Sequence, residues 1–333
     1  SLTPQPAGGA APPPVSPPPP QEPGGLPDSP APSGGSTGNG TAVPNPVPSP
    51  GPNASQAEYE AWLDYEMYRI NTDPEYFKEF YKQNTGYRHS VDNGMPQITW
   101  DADNNQWIPA SRVPPPLPPK YLPETIPRGT REGALAPADL DAAALARYNA
   151  IDAATKAADR LADAKAAYDN YPTEANRVAR EAAEADYKPK QKTMSELAEE
   201  FGETVARLQV IPQLYPGATS LDLAGPDNGN DQFDQVWKTL DGRYVVVEAK
   251  SSPKTDLGYR TLPNGKRVSQ GTLEYFQDIL RKMRDRGEGG LADELEAARV
   301  NGQLDYLEIH GDPKGDKYGG YIVKKFDITK PIL

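Results

Sequence analysis

Cysteine is absent from all 333 residues, which excludes disulfides and thiolate metal sites and lets the chain cross between redox compartments without consequence. No stretch of about 20 consecutive apolar residues occurs, so no membrane span is expected. No charged start followed by an apolar core marks a signal peptide. Histidine occurs twice, as His89 and His310. His89 reads as structural, and His310 lacks the partners of an HNH or zinc pattern. A P-loop is missing as well: six residues rather than four separate Gly258 from Gly265-Lys266, and Arg267 stands where a hydroxyl is required. Positive charge is in deficit, 35 Lys and Arg against 47 Asp and Glu for a net charge of −12, which disfavours tight non-specific binding to phosphates.

Proline and glycine are abundant, 38 and 29 residues, and so concentrated that only part of the chain can be globular. Residues 1–55 hold almost no large apolar groups and cannot bury enough surface to offset chain entropy, so a disordered leader with polyproline II character is expected. Ser1 in place of an initiator Met suggests the C-terminal part of a longer protein. Residues 56–110 are rich in aromatics, among them Tyr59, Trp62, Tyr65, Tyr76, Phe77 and Trp107. Their spacing of three and four predicts a helix pair interrupted at Asp73-Pro74 and followed by an extended stretch, a segment small enough to need a docking partner. Residues 111–133 read as a Pro-rich linker, although Arg112 to Lys120 also has the spacing of an SH3 ligand. Residues 134–190 are Ala-rich and predict two antiparallel helices, broken at Tyr171-Pro172 and Lys188-Pro189, with Thr173 as an N-cap. A spacer without chemistry is the expected role. Residues 191–333 suffice for one α/β core with a mixed sheet.

The chemistry concentrates between Asp231 and Lys250. Two runs rich in Val, Trp and Tyr flank Asp241-Gly242, predicting a β-hairpin. A two-residue loop would set Asp234 opposite Ala249, on the wrong face from Glu248. A three-residue loop, Leu240-Asp241-Gly242, with Gly242 left-handed in a bulge, sets Asp234 opposite Glu248 and Lys250 two residues on along the same face. That register is the one expected here. Opposed carboxylates repel, which raises a pKa or recruits Mg²⁺.

Asp234 followed by Glu248-Ala249-Lys250 resembles the core of the PD-(D/E)xK nucleases, a restriction-endonuclease-like α/β sandwich. Phe233 replaces the proline of that motif. The resemblance implies that Asp234 and Glu248 hold Mg²⁺ (or Mn²⁺) and that Lys250 orients or activates the attacking water. Gln270 to Tyr275, which opens an amphipathic helix with Leu273, Phe276, Leu280 and Met283 on one stripe, is similar to the Gln-to-Tyr motif of RecB-like exonucleases. This implies Gln270 near the metal and Tyr275 near the nucleic-acid backbone. Thr193-Met-Ser-Glu196 reads as a capping box that starts a helix through Leu208. The further acid that the family's first helix often supplies is Glu203, by its Gly-Glu pairing with Gly202, or Glu200, by the helical wheel.

Residues 241–290 hold ten Lys or Arg against seven acids. Lys254, Arg260, Lys266 and Arg267 form a candidate basic rim for nucleic acid, with solvated faces as the alternative. A Pro-rich leader, a helical spacer and a terminal nuclease-like domain resemble bacterial polymorphic toxins. That resemblance implies a protein exported from its producer to act on DNA in the target-cell cytoplasm, neutralised by a bound immunity protein. The alternatives are a non-catalytic exported scaffold with a nuclease-like fold and a phosphoesterase acting on small nucleotides.

Overall fold

The computed structural model describes residues 44–81, 87–88, 95–101, 104–225 and 231–333. The leader up to residue 43 and His89 lie outside the described residues. The chain divides into two compact units, one containing residues 118–258 and 268–333 and the other holding the preceding segment together with Tyr259–Arg267.

In the aromatic segment, Ser55 caps helix α1 (Gln56–Thr72) in a capping box with Glu58: the Glu58 amide donates to Ser55 Oγ at 3.3 Å and the Ser55 amide to Glu58 Oε2 at 2.7 Å. Pro74 stops α1 and opens α2 (Pro74–Tyr81), while the Asp73 carboxylate accepts from the amides of Glu75 and Tyr76, both at 3.1 Å. Strands β1 (Tyr87–Arg88), β2 (Ile98–Asp101) and β3 (Gln106–Pro109) make an antiparallel sheet. Leu63, Met67, Ile70, Tyr76, Tyr81 and Ile98 form a core of this segment's own. The expected helix pair and extended stretch thus share a small core of their own.

The second unit starts with two short strands in the expected linker, β4 (Lys120–Tyr121) and β5 (Gly129–Thr130), both paired to the last strand of the chain. Helix α3 (Pro137–Asn170) and helix α4 (Glu174–Val205) pack as an antiparallel hairpin through Ala144, Ala150, Ala154, Ala157 and Leu161, and Thr173 caps α4 as its sequence predicts. The expected break at Pro189 does not occur, and Thr193 lies inside the helix rather than at its start. Proline removes one backbone donor and crowds the preceding turn, which ends a lone helix; packing along the length of α3 holds this one together. The helix passes through five π-helical residues, Ala206–Val210, into α5 (Ile211–Leu214). The sheet follows with β6 (Thr219–Ser220), β7 (Gln235–Lys238) and β8 (Tyr244–Lys250). After the ribbon β9 (Tyr259–Thr261) and β10 (Arg267–Ser269) come α6 (Leu273–Asp285), α7 (Gly289–Val300), β11 (Leu304–Lys314) and β12 (Lys317–Asp327).

The sheet runs β4-β12-β11-β8-β7-β6, with β8 and β11 parallel and the other pairs antiparallel, so the expected mixed sheet is present. One face carries Trp237, Val245, Val247, Leu307, Ile309 and Val323 against Phe201, Val205, Leu140 and Ala144 of the helical hairpin. Arg131 fixes that hairpin to the sheet by a bidentate pair with Asp141 at 2.6 and 2.7 Å, and Asp141 also accepts from the Tyr318 amide at 2.9 Å. Phe233, Phe276, Tyr306 and Phe326 meet on the opposite face with ring centroids 4.9–5.8 Å apart, so helices cover both faces.

Candidate functional site

The hairpin has the three-residue loop. Gly242 has φ +84°, its amide donates to Thr239 O at 3.0 Å, and the Thr239 amide donates to Arg243 O at 2.9 Å. Gln235 pairs with Val247, Val236 with Val246 and Trp237 with Val245, so the register carried one step further sets Asp234 opposite Glu248. Strand β11 extends this row, because Glu308 pairs with Glu248 and His310 with Lys250. On β12, Lys324 pairs with Glu308. One sheet face therefore carries charge along the row from Asp234 through β8 and β11 to β12, at the C-terminal end of β8, the end at which open α/β sheets bind ligands.

Glu248 has no exposed surface. The Tyr306 hydroxyl donates to its Oε1 at 2.6 Å and Gln270 Nε2 donates to its Oε2 at 3.0 Å. Burial, reinforced by Glu248, holds the Tyr306 pKa well above its ordinary value, which keeps the hydroxyl a donor. Lys250 Nζ donates to Gln270 Oε1 at 2.5 Å, and the Gly258 amide donates to the same oxygen at 2.7 Å. One side-chain amide thereby ties an acid to an ammonium, and its orientation is fixed by what each end must donate or accept. Gln270 precedes the helix rather than opening it: α6 begins at Leu273 and is capped by Thr272, which accepts from the Tyr275 amide at 3.1 Å.

Asp234 reaches sideways along the sheet edge, and its Oδ2 accepts the Ala249 amide at 2.7 Å. Burial raises its pKa against the lowering effect of Lys250 and of that amide. Glu203 comes from α4. A Cβ on Gly202 would lie 2.8 Å from the carbonyl carbon and oxygen of Lys250, so only glycine lets the helix come this close to β8. Glu203 O accepts from Gln235 Nε2 at 2.9 Å. The Glu203 carboxyl is pushed up to about 7, first by burial, then by Asp234, Glu200 and Glu199. Glu200 points instead to its own helix, accepting from Thr204 Oγ1 at 3.2 Å and pairing with Arg207 at 3.5 Å. Asp234, Glu248, Lys250, Gln270 and Glu203 are thus gathered at one sheet edge. Among the described residues, no three His, Asp or Glu side chains form a group that could hold a metal ion.

The rim residues are scattered. Tyr275 is 3% exposed in the interior and Arg260 5% exposed. Lys254 is exposed in the loop after β8, and Lys266 is exposed on the β9–β10 turn. Arg267 lies over the Tyr259 ring with its guanidinium carbon 5.1 Å from the centroid. Arg260, Lys266 and Arg267 belong to the other unit.

Tyr306, Glu308, His310 and Tyr121 join the site without having been anticipated from the sequence. His310 Nδ1 lies 2.8 Å from Ser252 O and donates to it, because a carbonyl only accepts, and Nε2 lies 3.3 Å from Glu308 Oε1, to which it donates when the ring carries both protons. The Tyr121 hydroxyl donates to Glu308 Oε2 at 2.9 Å. Burial raises the Glu308 pKa, but the hydrogen bonds from His310 and Tyr121 outweigh it and the net shift is downward. Tyr306, Glu308 and His310 alternate along Leu304–His310, a period-two signal visible in the sequence. Tyr121 has no such signal, since it arrives from the Pro-rich segment by long-range pairing. Among the described residues no helix is long and apolar enough to cross a membrane. Comparison of the chain with protein-family models, with curated proteins and with solved structures gave no match.

Proposed function

We propose that the chain is a metal-dependent nuclease that hydrolyses phosphodiester bonds in DNA with PD-(D/E)xK chemistry. The observation that carries this reading is the lock in which Gln270 joins Glu248 to Lys250 on one face of β8, with Asp234 at the neighbouring register position. The donor set suits Mg²⁺ or Mn²⁺, which take one or two carboxylates and keep several waters. Glu203 fits the same site, because its carboxyl has no ion pair or side-chain hydrogen bond among the described residues and is raised first by burial and then by Asp234, whose repulsion a divalent cation would relieve. Asp234 and Glu248 would hold the cation, with Glu203 as the further acid. When bound, the cation supplies charge neutralisation to the phosphodiester as it is attacked. Tyr306 and Gln270 fix the Glu248 carboxylate, and Gln270 Oε1 aims the Lys250 ammonium, which offsets charge on the phosphorane-like transition state. The organisation of the sequence extends the proposal to an exported bacterial toxin acting in the target-cell cytoplasm and held inactive by an immunity protein.

The rival reading is a non-catalytic scaffold, and one observation favours it: Glu248 is fully buried and both its oxygens are already engaged. Incubating the full chain with plasmid DNA and with RNA, in Mg²⁺, in Mn²⁺ and in EDTA, separates the two. Strand scission that EDTA abolishes supports the nuclease, and intact substrates with both metals support the scaffold. A fragment starting at residue 190 is unsuited to this, since it would lack β4, β5, α3 and half of α4.

A further inference from the structure

A cavity of about 440 Å³ opens beyond the ends of β8 and β11, lined by Arg128, Arg147, Ser252, Lys254, Asp312 and Lys314 among others. Four cations face one acid there. Asp312 is shared between Arg128 at 2.9 Å and Lys314 at 3.3 Å, whereas Arg147 and Lys254 have no ion pair among the described residues. Arg147 comes from α3, and its Nε is buried without a hydrogen-bond partner. A guanidinium drawn out of water without an acid beside it is unfavourable, and an anion entering the cavity would compensate it. The wall is continuous with the charged sheet edge: Ser252 follows Lys250 by two residues, and its carbonyl holds His310.

We propose that this cavity binds a phosphate of the nucleic-acid strand, next to the phosphodiester presented to Lys250. The proposal rests on the nuclease reading and assigns the strand's path past the site. The volume admits a phosphate with its sugar, and the concave, basic wall suits a backbone phosphate better than a flat protein epitope. It also gives the Ala-rich helix α3 a chemical role, through Arg147.

The test is fluorescence anisotropy with a labelled single-stranded DNA 12-mer, using the full chain carrying Lys250→Ala in EDTA so that no substrate is cut. Arg147→Gln with Lys254→Gln is compared on that background, with thermal melts alongside. Removing the two cations that hold this phosphate should weaken binding at least tenfold and flatten the slope of log K against log salt by about 0.7. The melting temperature should hold or rise, because an uncompensated cation is removed. Inorganic phosphate should raise the melting temperature of the parent above that in chloride at equal ionic strength, and should not do so in the double variant. Equal 12-mer affinity in parent and double variant overturns the cavity while leaving the nuclease reading standing. A parent that binds neither 12-mer nor phosphate overturns it too, and so does tighter binding of polyglutamate than of a 12-mer of equal charge, which would indicate an acidic protein partner. Loss of binding in the double variant, in a chain whose wild type cuts nothing with any metal, keeps the phosphate cavity and discards the nuclease.

Discussion

The two faces of β8 share a backbone and differ in everything their side chains do. Val245 and Val247 point to the helical hairpin and pack against Phe201 and Val205 in a core of aliphatic and aromatic side chains. Val246, Glu248 and Lys250 point the other way, where an aromatic cluster gives out into acids, an ammonium and a histidine held by hydrogen bonds. The first face is specified by volume and water exclusion and tolerates any apolar residue of suitable size. The second is specified atom by atom, because a buried carboxylate is tolerable only with its donors in place. Substitutions on the two faces should therefore separate stability from chemistry.

Activity carries the largest expected effects. Glu248→Gln or Asp234→Asn should abolish Mg²⁺-dependent cleavage while the melting temperature stays near wild type, as read by plasmid nicking and calorimetry. Glu248→Ala is a different experiment, since it strands the Gln270 amide and the Tyr306 hydroxyl in the interior and should cost about 2–4 kcal/mol. Lys250→Ala should reduce cleavage by about 10²-fold, the scale of losing one preorganised electrostatic group, and leave Mg²⁺ affinity nearly unchanged. On the other face the order reverses: Val247→Ala should lose about 2–4 kcal/mol in urea unfolding and keep its cleavage rate at 25 °C.

Gly202 joins the two faces, so Gly202→Ala should disturb both. Its Cβ would collide with the Lys250 backbone, and pushing α4 away should cost about 1–3 kcal/mol and reduce cleavage by moving Glu203. The smallest effect is a pH dependence. The Glu203 pKa is raised from 4.5 to about 7 in the fold, so the folded state favours the protonated acid, and stability declines as pH rises from about 4.5 to 7 and levels above that. The decline should amount to about 1–2 kcal/mol once solvent screening is allowed for, and Glu203→Gln should remove it. For the same reason Mg²⁺ should raise the wild-type melting temperature more at pH 8 than at pH 5.

How much of this was legible in the sequence follows from the range of the interactions. The hairpin register, the left-handed Gly242 and the stripe of α6 are local, and periodicity with turn chemistry specifies them. The Asp73-Pro74 interruption and the Thr173 cap are equally local. Pro189 misleads because its cost is local while the packing that holds α4 straight belongs to α3. Tyr121 and Arg147 were unreadable for a related reason. Their segments look like a linker and a spacer, and only strand pairing to β12 and docking of α3 bring them beside residues more than 100 positions away. Glu308 and His310 lay within reach of an alternation argument, but their meaning depends on the parallel pairing of β11 with β8, which no local pattern announces.

The central claim is that the chemistry belongs to one face of β8 and the stability to the other, and a crossed measurement tests it most directly. Plasmid cleavage in Mg²⁺ and urea unfolding are recorded for the full-length wild type, Glu248→Gln and Val247→Ala. Wild type should show EDTA-sensitive cleavage, Glu248→Gln none at near-wild-type stability, and Val247→Ala full cleavage at reduced stability. A folded Glu248→Gln variant that cuts DNA as fast as wild type would contradict the claim.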